Sequence, residues 1–188
     1  WLITVFTLPG VALTPIAGIL ADRWGRRRIL VPALILFGLA GGACALAPGF
    51  LPLLALRTLQ GIGAAPLGAL NVTLVGDLFS GRDRTHAMGL NASVLSVGTA
   101  LYPALGGALA VGGWRWPFLL PLAALPVAAA VALRLRNPEP EGSGELGPYL
   151  RAVVRALRQQ RVVVLLGVTF VVFMILYGAY LTYLPLLA

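Results

Sequence analysis

Successive apolar runs of about 18 residues or more, separated by short gaps that collect nearly all of the arginines, leave this chain few ways to fold. At about 1.5 Å per residue, such a run crosses roughly 30 Å of hydrocarbon as a helix. None shows the period-2 alternation of an outer-membrane barrel strand. Lipid offers no partner for a backbone N–H or C=O, so each run must satisfy its own peptide groups. The expected fold class is all-α, a polytopic transmembrane helical bundle.

Composition agrees. Hydrophobic residues make up 59% and charged residues 11%, against about 25% charged in an ordinary soluble domain, and the mean hydropathy is +0.92. A net charge of +8 would suggest nucleic acid in a soluble domain. Here all fourteen cations are arginines and thirteen of them lie in the gaps between apolar runs, which points to membrane topology and to no nucleic-acid partner. The single Cys44 lies in an apolar run and reads as a packing residue, excluding an intrachain disulfide.

Six spans are expected, at 2–21, 29–47, 50–78, 85–111, 116–133 and 162–187. The first gap holds Asp22 and Arg23, Arg26, Arg27 and Arg28; Pro48 and Gly49 form a tight turn; 79–84 is a second polar hinge; 112–115 is a third short turn with an interfacial Trp114. The hydrophilic stretch 134–161 divides into a flexible linker at 137–144 and an amphipathic helix at 149–161 suited to the membrane surface. If every run crosses once, twelve arginines fall on one side and Arg115 alone on the other, so the basic side is expected to be cytoplasmic. The chain begins on Trp1 and ends in an apolar run, as a fragment with both ends missing would, and 1–20 lacks the charged leader and cleavage site of a signal peptide.

Three motifs stand in this framework. Gly18, Asp22, Arg23, Gly25, Arg26 and Arg27 form Gly-x-x-x-Asp-Arg-x-Gly-Arg-Arg. Arg57, Gln60, Gly61, Gly63, Ala64 and Ala65 form Arg-x-x-Gln-Gly-x-Gly-Ala-Ala inside the third span. Gly98, Pro103, Gly106 and Gly107 approximate Gly-x-x-x-Gly-Pro-x-x-Gly-Gly in the fourth, with Tyr102 replacing the glycine before the proline. In the first, Gly18 would permit close helix approach, Asp22 could accept hydrogen bonds from a helix N-terminus and Gly25 would allow a tight turn. In the second, an arginine held within a span either faces a watery cavity or an acidic partner, or snorkels to the nearby surface. Gln60 and Asn71 share its helical face, with Gly61, Gly63 and Gly68 thinning the helix for neighbours. In the third, Pro103 should free the Thr99 carbonyl and kink the helix, Gly98 and Gly106 should present a ridge, and Tyr102 either fills a gap or projects into the cavity beside Asn91.

Together the three motifs resemble those of the major facilitator superfamily of secondary transporters, with the third similar to the antiporter motif of drug/proton exporters. The resemblance implies that the spans are family helices two to seven, a partial bundle without helix one or helices eight to twelve, with the twelve-helix plan favoured and the fourteen-helix plan left open. It divides the chain into a transporter half at 1–133, a cytoplasmic linker at 134–161 and the first helix of the second half at 162–188. It further implies a gate at Gly18, Asp22, Arg23, Gly25, Arg26 and Asp77, and a transport path with coupling residues at Arg57, Gln60, Asn71 and Asn91. Kink and packing positions are Gly98, Tyr102, Pro103, Gly106 and Gly107. The expected protein is no enzyme but a proton-coupled exporter of small amphiphilic molecules in a bacterial plasma membrane. Lipid, substrate and protons are its partners, a proton gradient takes the place of a cofactor, and there is no metal. Metabolite uptake on the same fold and a non-transporting membrane remnant are the alternatives. Ser93 and Ser96 lack a nucleophile-elbow context, His86 reads as an ordinary loop histidine, and no Walker A sequence is present.

Overall fold

In a computed structural model the described residues are 1–135, 155 and 158–175. The helices are α1 (Leu2–Trp24), α2 (Arg26–Ala43), α3 (Phe50–Leu78), α4 (Gly81–Ala110), α5 (Ala124–Arg134) and α6 (Gln160–Phe173). Short 3-10 segments, Cys44–Leu46 and Trp116–Ala123, extend α2 and precede α5. Among the described residues five helices are long and apolar enough to cross a membrane, counting each 3-10 segment with its helix. The chain divides into two compact units, Trp1–Gly142 and Ser143–Ala188. The expected linker at 137–144 lies outside the described residues, as do most of the amphipathic helix at 149–161 and the last part of the final span. In the second unit, Gln160–Phe173 is helical.

The span expected at 50–78 is α3 as observed. The hinge expected at 79–84 is shorter: α4 starts at Gly81, so Arg82, Asp83 and Arg84 belong to its first turn and only Phe79 and Ser80 lie outside helix. Asp83 there favours the positive N-terminal end of the helix dipole. The span expected at 116–133 is not uniformly α-helical. Pro117 and Pro121 remove two backbone donors, and its first eight residues wind as 3-10 before α5 begins. Elsewhere proline does not end the helices: Pro9 and Pro15 in α1, Pro32 in α2, Pro66 in α3 and Pro103 in α4 all lie inside them.

Within the first unit α3 is central, packed along α1 on one side and α2 on the other, while α2 also carries the 3-10 segment and α5. Small residues make this approach possible. A Cβ on Gly61 of α3 would stand 2.1 Å from the Phe6 carbonyl oxygen of α1, and one on Gly63 would stand 2.6 Å from the Phe37 backbone nitrogen of α2. Helices in lipid associate through such contacts, since surrounding hydrocarbon is as apolar as their own leucines. Thr14 on α1 adds a hydrogen bond to the Ala65 carbonyl of α3 at 2.9 Å.

Two small cores mark the ends of the unit. Ala21, Leu30 and Leu70 are buried together with Leu67, Leu74, Val131 and Leu135 against them, where α1 turns into α2. Cys44, Ala47 and Leu53 are buried with Leu2, Leu56 and Phe118 at the opposite end. The outside is apolar: α4 has no buried residue among those described, and Leu90, Val94, Leu101 and Leu105 are exposed. Such a surface suits hydrocarbon rather than water.

Candidate functional site: a charged clasp and an arginine-lined cavity

Gly25 alone separates α1 from α2. Its φ of +91° lies where a side chain is disfavoured, and its N–H still bonds the Ala21 carbonyl at 3.0 Å. The turn therefore costs one residue and places Arg26 at the start of α2, facing Asp22 in the last turn of α1. Arg26 Nη1 lies 2.8 Å from Asp22 Oδ1. Its Nε donates to Asp77 Oδ2, in the last turn of α3. One guanidinium thus joins three helices.

The helix ends make this arrangement reciprocal. A cation at the N-terminus of α2 and an anion at the C-terminus of α3 are each placed against their own helix dipole, and each offsets the other. Arg26 is the most sheltered of the three, with 18% of its side chain exposed against 44% for Asp22 and 29% for Asp77. Pairs this open to solvent contribute about 0.2–1 kcal/mol each, so the clasp can open readily. Arg23, Arg27 and Arg28 are exposed around it. Arg84 lies over α3 from the first turn of α4, its Nη2 3.2 Å from where a Cβ on Gly76 would be. A cation there complements the C-terminal end of α3, a contribution missed when Arg84 is read as hinge. No other helix comes within 4 Å of the Gly18 Cβ position among the described residues.

Toward the opposite end, Arg57 turns inward. Its Nη1 donates to Gln60 Oε1 at 2.9 Å. The guanidinium carbon lies 4.7 Å from the Phe118 ring centroid and 5.9 Å from that of Phe6. Gln60 is 2% exposed, and its amide nitrogen would be 2.6 Å from a Cβ on Gly41, so a glycine in α2 makes its room. Arg57 Nε is buried without a hydrogen-bond partner among the described residues. Of the two destinations the sequence allows for Arg57, the interior is the one occupied.

These groups line a cavity of about 310 Å³ together with Phe37, Tyr102, Gly106 and Pro121. It draws on α1, α2, α3, α4 and the 3-10 segment. Tyr102 thus lies at the cavity, half exposed, lining it together with Arg57, and Asn91 is not among the lining residues. Asn91 instead accepts a hydrogen bond from Asn71 Nδ2 at 2.9 Å, tying α3 to α4 further along. The expected path residues accordingly separate into two pairs, Arg57 with Gln60 and Asn71 with Asn91. Gly68, Gly98, Gly106 and Gly107 have nothing within 4 Å of their Cβ positions among the described residues, whereas Gly61 and Gly63 are tightly covered. Among the described residues no group of three or more His, Cys, Asp or Glu is placed to hold a metal. The rings of Phe6, Phe37 and Phe118 are not visible in the motifs, although an arginine inside a span signals that some such partner must exist.

Known proteins resemble the chain in sequence. The multidrug transporter protein MdtP of Bacillus subtilis (strain 168) is 34% identical over 123 residues, 65% of this chain and 23% of that protein. The bacillibactin exporter of the same organism is 39% identical over 124 residues, 62% of this chain and 31% of that protein. The MFS-type efflux pump MMF1 of Pseudozyma antarctica (strain T-34) is 35% identical over 141 residues, 73% and 26% respectively. The chain therefore spans less than a third of the length of these curated relatives. The sequence model of the Major Facilitator Superfamily matches residues 1–188, and with the helical bundle and the motif geometry this identifies the chain as a member of that superfamily, an integral membrane protein of a transporter family.

Proposed function

We propose that this chain forms part of a secondary active transporter that exports small amphiphilic molecules in exchange for protons. Transport proceeds by alternating access, two helical halves rocking about a site within the membrane. The basic end is cytoplasmic and the membrane is a bacterial plasma membrane. The observation that carries this reading is the Arg26 clasp. A guanidinium shared between Asp22 and Asp77 ties three helix ends by exposed, weak pairs, as a gate that must close and reopen in every cycle requires. Closed, it stabilises the outward-facing state; opened, it lets the cytoplasmic ends separate. The cavity beside Arg57, Gln60 and Tyr102 is the substrate path toward the other end, and Asn71 with Asn91 keeps α3 and α4 in register as they move. The relatives named as multidrug transporter and efflux pump favour export over uptake.

The test uses the protein at the length its cells produce, reconstituted in vesicles with an imposed proton gradient and an amphiphilic fluorescent substrate. Flux should follow the gradient and stop when an ionophore collapses it. Flux indifferent to the ionophore rejects proton coupling. Asp22→Asn should lower transport while membrane insertion stays normal, and undiminished transport rejects the gate.

A further inference from the structure

The Arg57 cavity has a composition that selects by charge and shape. Among the described residues Arg57 is the only charged one lining it, no carboxylate lies on its wall, and four of the lining residues are aromatic. Arg57 offers five N–H donors. One is directed to Gln60, and the buried Nε has no partner among the described residues. The rings of Phe6 and Phe118 hold the guanidinium through their π faces, which steadies the cation but leaves its positive charge unneutralised. Where the guanidinium is buried, at Nε, its charge is screened less than it would be in water. Phe37, Phe118 and Tyr102 in the lining favour an aromatic occupant, since planar groups gain contact and stacking against rings that a puckered ring of equal size loses.

Resting on the transport reading above, we propose that this cavity is a binding subsite for amphiphilic anions bearing a planar aromatic ring. The ring lies against Phe37, Phe118 and Tyr102, and the carboxylate or other acidic group is drawn to the Arg57 guanidinium. A cationic amphiphile of the same shape meets an unneutralised like charge and is disfavoured. The cavity volume, about 310 Å³, is at the small end of ligand pockets and admits one bicyclic group rather than a large drug.

The experiment measures binding, so it is independent of flux. The protein at its cellular length, in the uncharged detergent dodecyl maltoside and without any gradient, is titrated by calorimetry with four probes: 2-naphthoate, its saturated analogue decalin-2-carboxylate, 2-naphthamide and 2-naphthylmethylammonium. Naphthoate should bind at least about tenfold tighter than the ammonium, the scale of one charge-assisted hydrogen bond, and tighter than the saturated acid. Arg57→Gln should remove the preference for naphthoate over naphthamide, and Tyr102→Ala should weaken naphthoate more than decalin-2-carboxylate. Equal or tighter binding of the ammonium overturns the proposal, because an acidic group from elsewhere must then neutralise Arg57. Equal binding of the saturated acid, or naphthoate affinity unchanged in Arg57→Gln, overturns it as well. The four-probe comparison on the unsubstituted protein decides the matter even if Arg57→Gln does not fold. Failure of the transport reading would appear instead as gradient-independent flux in vesicles, with these binding preferences intact.

Discussion

Replacing Gly61 by alanine tests the packing that creates the cavity. The added methyl would stand 2.1 Å from the Phe6 carbonyl oxygen and 2.9 Å from its carbon, and ordinary contact begins near 3.4 Å. The obstacle is backbone, so no rotamer change relieves it. α1 must retreat by about 1.3 Å at this level. A gap of 0.5–1 Å already forfeits about a quarter to a half of each dispersion contact, and overpacking of this kind costs about 1–3 kcal/mol. Because nothing flexible can yield, the upper end, about 3 kcal/mol, is expected. Alanine also gains about 1 kcal/mol of helix propensity over glycine. Gly68→Ala supplies the control: it lies on the same helix, gains the same propensity and has nothing within 4 Å of the added atom among the described residues. The difference between the two variants therefore isolates the steric term at about 3 kcal/mol. SDS-induced unfolding in mixed micelles, followed by tryptophan fluorescence, measures it. Because Phe6 stacks on Arg57, Gly61→Ala should also loosen the cavity and weaken ligand binding severalfold. A Gly61→Ala protein as stable as Gly68→Ala would refute the inference that α1 and α3 touch backbone to side-chain position.

Other expectations follow from particular contacts. Gly63→Ala, facing the Phe37 nitrogen at 2.6 Å and the Ala33 carbonyl at 2.9 Å, should lose stability by about 1–3 kcal/mol in the same unfolding assay. A double-mutant cycle with Asn71→Ala and Asn91→Ala should give a coupling of about 0.6–1.7 kcal/mol, the range of membrane interhelical hydrogen bonds; additive effects would mean that their 2.9 Å contact contributes nothing. Asp77→Asn leaves Arg26 on Asp22 alone and should cost less than about 1 kcal/mol of stability while shifting the protein toward inward-open states, read by site-directed labelling of an introduced cysteine at the α3–α4 turn. Unchanged accessibility there would count against a gate.

The first five helices and the Asp22–Arg26 part of the clasp are legible in the sequence because they depend on short-range chemistry. An apolar run in lipid has no alternative to a helix, and Asp22, Arg26 and the single glycine between α1 and α2 are sequence neighbours. The 3-10 character of Trp116–Ala123 was less visible, since apolar periodicity says little about how prolines redistribute backbone hydrogen bonds. The polarity of Arg82, Asp83 and Arg84 suggests a longer second hinge than the structure has, because polarity in a first helical turn satisfies a helix end as well as a loop does.

By itself the sequence determined that this is a membrane bundle, which of the described segments are long and apolar enough to cross, and that an arginine within a span must be answered by something. Those conclusions follow from composition and spacing along one dimension. Only the tertiary structure decided what answers Arg57, which glycines are covered, and that Tyr102 lines the same cavity as Arg57 while Asn71 bonds Asn91. Such contacts unite residues tens of positions apart, such as Phe6, Arg57 and Phe118. Their geometry is set by how closely α1, α2 and α3 can approach, which the chain encodes only jointly, through the absence of a Cβ at Gly41, Gly61 and Gly63.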